Sequence, residues 1–340
     1  MTATIKDIAK KVGVSPSTVS RVINGNTRIS EITTKKIQEA MAELNYHPNS
    51  LARSFVNGLT YCVGLVIDAR DENTFANAFF NRSVFAIEKV MQEYGYSIII
   101  TNDRKKKDNS TVENLMLEKK VDGLILPSSV IRPELIKELN KVEFPFVIMG
   151  EPKRYKESTS WIDVDNELGS FTAVEHLIEQ GYTRIALVTE QTNTVFAQKR
   201  LAGYTSCLKR HNIQPKQEFI LEYGKNIDID NKNLEELALS SNHPDAYLCG
   251  NNIIAFNVLK TLKNINYKIP DDIGIVTFDN YPVAEYTDPP MTAVDVDTYG
   301  LGIQVAEKLI QKIQGAAMDT NHMYIPTKLI TRESTKKGER

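Results

Sequence analysis

The stretch from Thr4 to Ser30 reads "TIKDIAKKVGVSPSTVSRVINGNTRIS", and its punctuation decides how the chain begins. Thr4 can cap a first helix with Asp7 as reciprocal partner three residues on, and Ile5, Ile8, Ala9 and Val12 make one apolar stripe. Gly13 ends that helix. Ser15 caps a second, with Pro16 at the first helical position, where its missing N–H costs nothing. Val19, Val22 and Ile23 form its inward face before Asn24-Gly25 stops it. Ser30 caps a third helix, in which Ile37, Ala40, Met41 and Leu44 repeat at helical spacing until Pro48. Two short helices joined by a tight turn, with a third closing the core, form a helix-turn-helix pattern.

In such a unit the second helix lies in the DNA major groove and its N-terminal residues reach base edges. Here those residues are Pro16, Ser17 and Arg21, with Ser17 and Arg21 on the face opposite Val19, Val22 and Ile23. Arginine pairs bidentately with guanine, and Ser15, Thr18, Ser20 and Asn24 suit phosphate or base contacts. The pattern alone leaves a protein-docking module open. Charge favours a polyanion: residues 1–60 carry eight basic side chains against four acidic ones. On a chain of net charge −2 that leaves the remainder at −6.

Composition excludes several classes. The chain has 340 residues, long for one core, with 41% hydrophobic and 25% charged residues as in soluble globular proteins. It has no apolar run long enough to span a membrane, and "MTATIKDIAKKVG" has no signal-peptide core, so a cytoplasmic location is expected. Cys62, Cys207 and Cys249 are scattered, as are the five histidines, and neither set has metal-ligand spacing. No metal or other cofactor is expected. No GxSxG, Walker or HExxH sequence is present, and "GLGIQV" at Gly300 to Val305 lacks the third glycine of a dinucleotide fingerprint. The reading is therefore not an enzyme.

From Tyr61 onward apolar strand candidates alternate with amphipathic helical stretches. The strands are expected at 61–67, 96–101, 122–127, 144–150, 184–189, 219–223, 246–250, 273–278 and 291–296, and the clearest helices at 80–94, 166–180, 197–211, 251–264 and 299–314. This alternation predicts two parallel sheets covered on both faces, hence two α/β lobes with a cleft between them. Ligands of open α/β sheets bind beyond the carboxyl ends of the strands.

"TIKDIAKKVGVSPSTVSRVINGNTRIS", continuing to "AMAELNYHPNSLARS", closely resembles the N-terminal domain of the lactose repressor family of bacterial transcription regulators. "VDGLILP", "KRLAGY" and "VTFDN" extend the resemblance over nearly the whole chain. It implies a repressor of sugar uptake or metabolism genes, with a homodimer on a pseudo-palindromic double-stranded operator and a sugar-like effector in a periplasmic-binding-protein-like cleft. "FANAFF" and "IMGEP" look most like maltose-type members from Gram-positive bacteria. Control by a phosphorylated protein partner, acting as corepressor, is the alternative within the same class.

The resemblance assigns residues by position. Ile5, Lys6, Ser15, Pro16, Ser17, Thr18, Ser20, Arg21, Asn24 and Arg28 fall where the family touches DNA. Pro16 replaces a longer side chain, so shape takes over part of the base readout there. The segment "NSLARSFV" (49–56) is too short to be a stable helix alone. In the family it is a hinge helix that folds on the operator, with Asn49, Ala52 and Arg53 facing the minor groove and Phe55 where relatives wedge a leucine between base steps. Arg200 in "RLAGY" and Asp279 in "TFDN" are implied polar anchors of the effector cleft, with Asn251 offering donor and acceptor together. Phe79 and Phe80 match an aromatic stacking position, and Pro127 and Ser129 the same rim. Arg200 is expected to open a helix, where a cation is mildly unfavourable.

There are departures from the family pattern. Asn251-Asn252 stands where relatives read Asn-Asp, and Ala78 stands where they carry proline. The expected organisation is a helix-turn-helix head (1–48), a hinge and linker (49–60) and a body (61–340). The first lobe would take about 61–162 and 293–320, and the second about 163–292 and 321–332. The charged tail "STKKGER" lacks a tetramerising heptad repeat and favours a dimer.

Overall fold

The computed structural model describes residues 3–23, 28–46, 58–68, 78–103, 110–224, 226–316 and 322–337. The head forms α1 (Ile5–Val12), α2 (Pro16–Ile23) and α3 (Glu31–Glu43). Asp7 Oδ2 accepts from the Thr4 amide at 2.8 Å and from its hydroxyl at 2.7 Å. Gly13 takes a left-handed conformation (φ 72°), which costs a residue without Cβ little and lets the chain turn out of α1. Ser15 Oγ accepts from Thr18 N at 3.2 Å, and Ser30 Oγ from Thr33 N at 3.3 Å. Helices of eight residues are marginal alone. Here Ile8, Ala9, Val19, Ile37 and Ala40 bury one another in a single small core. Asn24, Asn49, Ala52, Arg53 and Phe55 lie outside the described residues.

Two six-stranded sheets follow, in orders β11-β5-β4-β3-β1-β2 and β12-β10-β9-β8-β6-β7. The first comprises β1 (Cys62–Ile67), β2 (Ser97–Asn102), β3 (Gly123–Pro127), β4 (Phe146–Met149), β5 (Trp161–Val164) and β11 (His322–Ile325). The second comprises β6 (Ile185–Thr189), β7 (Ile220–Glu222), β8 (Ala246–Cys249), β9 (Gly274–Phe278), β10 (Thr292–Val296) and β12 (Thr327–Ile330). The helices of the body are α4 (Ala78–Glu93), α5 (Thr111–Leu117), α6 (Pro133–Lys141), α7 (Asn166–Glu179), α8 (Val195–Arg210), α9 (Ile227–Leu239), α10 (Asn252–Asn264) and α11 (Thr298–Ile313). β3, β4, β6, β8 and β9 are almost wholly buried, as strands covered on both faces must be.

Three features differ from the sequence expectation. The second sheet is mixed, because β12 pairs antiparallel with β10. β5, β11 and β12 had no strand signal strong enough to be expected; each has only four residues, and β11 is mostly exposed. The lobe boundaries also move. β10, expected to open the return to the first lobe, pairs with β9 in the second sheet, while β11 pairs parallel with β5 in the first. The chain therefore changes lobe at Asp165, Asp297 and Pro326.

The first two crossings share one local design. Asp163-Val164-Asp165 and Asp295-Val296-Asp297 each end a strand on an aspartate that caps a helix packed on the opposite lobe. Asp165 Oδ1 accepts from Leu168 N at 2.9 Å, and Asp297 Oδ1 from Gly300 N at 2.8 Å. Their backbones nearly coincide, at φ −76°, ψ 77° and φ −71°, ψ 76°. A repeated "DVD" thus marks where each lobe hands the chain to the other.

Candidate functional site

In the head, α1 and α3 cover the apolar side of α2 and leave its other side to solvent. Ser15, Pro16, Ser17 and Arg21 are exposed along that side, Lys6 is exposed on α1, and Arg28 is exposed ahead of α3. Ser15 Oγ lies 2.7 Å from Ser17 Oγ and 2.9 Å from Thr18 Oγ1, so three hydroxyls cluster at the start of α2. Helix N-termini present unpaired N–H groups and a partial positive charge, which together suit phosphate oxygens. Thr18 and Ser20 are half-buried, and Ile5 packs against the small core. Ser15, Pro16, Ser17 and Arg21 thus share the exposed side of α2, while Lys6 and Arg28 are exposed on the neighbouring segments.

In the body, Arg200 is 7% exposed. It stands in the second turn of α8, not at its start, so the expected unfavourable interaction with a helix N-terminus does not apply. Its Nε donates to Asn166 Oδ1 at 2.9 Å, its Nη1 donates to the Gly250 carbonyl, and its guanidinium lies 3.9 Å from the centroid of the Phe278 ring. Asp279 follows β9 in the left-handed region (φ 68°), a conformation uncommon for a residue other than glycine. Burial pushes its carboxyl up to about 6; Arg200 opposes that shift, and Glu190 and Asp295 add to it.

Asn251 was expected to offer both halves of its amide to a ligand, but the protein uses both. Its Oδ1 accepts from Ile254 N at 2.9 Å, capping α10, and its Nδ2 donates to Glu190 Oε1 at 2.7 Å. Glu190, directly after β6, is therefore a polar group at the strand ends that sequence reasoning missed. The rule that singled out Asn251 and Asp279, the residue following a strand, would also have found it. Asn252 is 1% exposed, and its Nδ2 donates to the Asp279 carbonyl at 2.7 Å. Asn252 thus holds the turn that presents Asp279.

On the first lobe, Phe79 is half-buried at the start of α4, whereas Phe80 is buried in the main core. Phe80 is thus a packing residue, because the helix turns it about 100° away from its neighbour. Pro127 ends β3, and Ser129 is exposed in the short helical turn that follows. Tyr281, unexpected from sequence, accepts at its hydroxyl from Phe79 N at 3.1 Å and so bridges the lobes.

A cavity of about 390 Å³ lies beside the first crossing, lined by Glu151, Asp163, Asn166, Lys199 and Tyr324 among others. None of the expected effector residues lines it; Asn166, which holds Arg200, is the shared wall. Asp163 is pushed up to about 6 by burial, against amide hydrogen bonds from Glu151 and Val164. Among the described residues no cluster of His, Cys, Asp and Glu could hold a metal ion, and no helix is long and apolar enough to cross a membrane.

Comparison with known proteins bears on both parts. Residues 4–49 match the family described as bacterial regulatory proteins, lacI family, and residues 174–335 match the periplasmic binding protein-like domain. The chain is 30% identical over 340 residues to the HTH-type transcriptional repressor PurR of Vibrio vulnificus (strain CMCP6), covering 98% of this chain and 99% of that one. A solved complex of the transcriptional regulator CelR with cellobiose is 28% identical, with a TM-score of 0.72, and covers 98% of this chain and 99% of that one. The lac repressor dimer bound to operator and the anti-inducer ONPF is 25% identical, with a TM-score of 0.79, over 99% of this chain and 100% of that one. Such relatives are transcription regulators, not enzymes. With its head and body both matched and the resemblance running end to end, the chain belongs to the lacI family of bacterial regulatory proteins.

Proposed function

We propose that this repressor binds a pseudo-palindromic operator as a homodimer in the cytoplasm and is controlled by a sugar held between its lobes. The observation that supports the reading is the closeness of Arg200, Asp279 and Glu190 at the strand ends of the second lobe, with Tyr281, two residues beyond Asp279, touching Phe79 of the first. A carboxylate pair and a buried guanidinium suit a polyhydroxyl ligand, which can both donate and accept, and an aromatic ring suits the apolar face of a sugar. The relative solved with cellobiose supports a glucoside, and maltose belongs in the same test panel.

Dimerisation is supported by large apolar side chains left in solvent. Ile253 is 69% exposed, Val283 47% and Tyr286 84% on the second lobe, and Phe85 is 63% exposed on the first. Exposed apolar groups of this size, repeated on both lobes, suit a second copy of the chain. Two heads would then read two half-sites, with Lys6 and the Ser15–Arg21 row contacting DNA. The roles of Asn24, Asn49, Ala52, Arg53 and Phe55 belong to the operator-bound form of this proposal.

The deciding experiment is an operator-binding titration of the purified protein with maltose, cellobiose and other sugars. A change in affinity with one sugar supports direct sensing. Indifference to every sugar, with a response to a phosphorylated protein, would transfer control to such a partner.

A further inference from the structure

Tyr281 stands two residues beyond Asp279, where the left-handed turn (φ 68°) redirects the chain away from β9. From there its half-buried side chain reaches the other lobe and accepts from the amide of Phe79 at 3.1 Å. That amide belongs to the first turn of α4, whose N–H groups have no partner inside the helix. A capping acceptor usually comes from the residue just before a helix. The Tyr281 hydroxyl is such an acceptor supplied by the opposite lobe, about 200 residues further along the chain. Arg82, one turn along α4, and Asp279 and Arg200 across the cleft all act electrostatically on the same phenol, so both lobes are charged around this contact. Burial and the neighbouring Asp279 push the phenol above its ordinary value, and it keeps its proton at neutral pH.

We propose that Tyr281 is an interlobe clasp, whose hydroxyl caps the first turn of α4 and ties the two lobes together beside the Asp297 crossing before any effector binds. The lobes are joined by the crossings at Asp165, Asp297 and Pro326, and Tyr281 adds a non-covalent tie one turn of α4 from Ser83, whose hydroxyl donates to the Thr298 carbonyl beside the Asp297 crossing. Opening the lobes costs the Phe79–Tyr281 bond. An effector must then await that opening, and an effector oxygen that takes over the Phe79 amide would replace the clasp rather than add to it. This last consequence rests on the cleft being the effector site; the clasp itself does not.

The test uses the full chain without effector and follows amide hydrogen exchange. Tyr281→Phe removes the acceptor and keeps the ring. Phe79→Pro removes the donor in the first turn of α4, together with the ring that packs on the core. Both variants are expected to raise exchange about two- to tenfold, the factor expected from losing one net hydrogen bond. The rise should extend over both rims, around 78–84 and around the ends of β6 and β8, and the double variant should add nothing further. Faster exchange confined to the start of α4 would reduce Tyr281 to a local cap and overturn the proposal. Additive effects of the two variants would overturn it too. If Tyr281→Phe fails to fold, Phe79→Pro alone decides by the same two-rim criterion. Because no sugar is present, failure here leaves the effector reading untouched.

Discussion

Arg200 Nε donates to Asn166 Oδ1 at 2.9 Å, joining the helix that presents the cleft's buried cation to the first residue after a lobe crossing. Under the proposed reading, the side chain that senses a ligand is thereby bonded to the start of α7, in its own lobe and directly beside the Asp165 crossing. Asn166→Ala should leave a buried guanidinium donor unsatisfied, at a cost of about 1–3 kcal/mol. Urea denaturation will read that loss. The same variant should blunt the sugar response while operator affinity without sugar stays near wild type; an unchanged response would detach Arg200 from the coupling.

Gly203 offers a test of packing. A Cβ there would collide with the Glu167 carbonyl and come within 2.9 Å of Phe171 N, because α7 and α8 approach backbone to backbone. Gly203→Ala should destabilise the body by about 1–3 kcal/mol or more, as overpacked sites do. A calorimetric melt reads it, and an unchanged midpoint would mean that the two helices separate easily.

Asp279 gives a signed pH dependence. Its carboxyl is raised from 3.8 to about 6, chiefly by burial. Between those values the folded protein binds more protons than the unfolded chain, so this group lowers stability as pH rises through the window and leaves it lower above. Two units at about 1.4 kcal/mol each set a ceiling of about 3 kcal/mol. The stability of wild type minus that of Asp279→Asn should fall between pH 4 and pH 6 and then level off. A flat difference would show an unperturbed carboxyl.

Arg21 is exposed on the outer side of α2. Arg21→Ala should weaken operator binding by about 1–3 kcal/mol and relax sequence preference, whereas Lys6→Ala should weaken all sequences alike and flatten the salt dependence. Electrophoretic titrations on operator and random duplexes distinguish the two. Equal weakening by Arg21→Ala on both duplexes would make it a phosphate contact.

Much of this was legible in the sequence because local rules agreed with the fold. Thr4, Gly13, Ser15 and Ser30 punctuate the head so fully that its three helices need no tertiary information to be located. The buried parallel strands announce themselves as apolar runs. What escaped reading depended on distant partners. "HMYI" and "TKLI" become strands only because β5 and β10 offer edges to pair with. Asn251 looked like a free amide until Glu190, sixty-one residues away, was seen to take its Nδ2. Phe79 and Phe80 are adjacent in sequence, yet one helical step leaves the first half-buried with its amide bonded to Tyr281 and puts the second in the core.

The three crossings at Asp165, Asp297 and Pro326 also govern how the protein can be taken apart. β11 and β12, joined through the single residue Pro326, form an edge of each sheet, so one short stretch of chain closes both lobes at once. Neither lobe is a contiguous gene segment, and a truncation before His322 would strip an edge strand from both together. Domain shuffling can exchange the head, but the body is inherited whole. Three side-by-side straps also resist shear and twist while allowing bending across their common line. The chain path thus favours lobe motion about one hinge-like line.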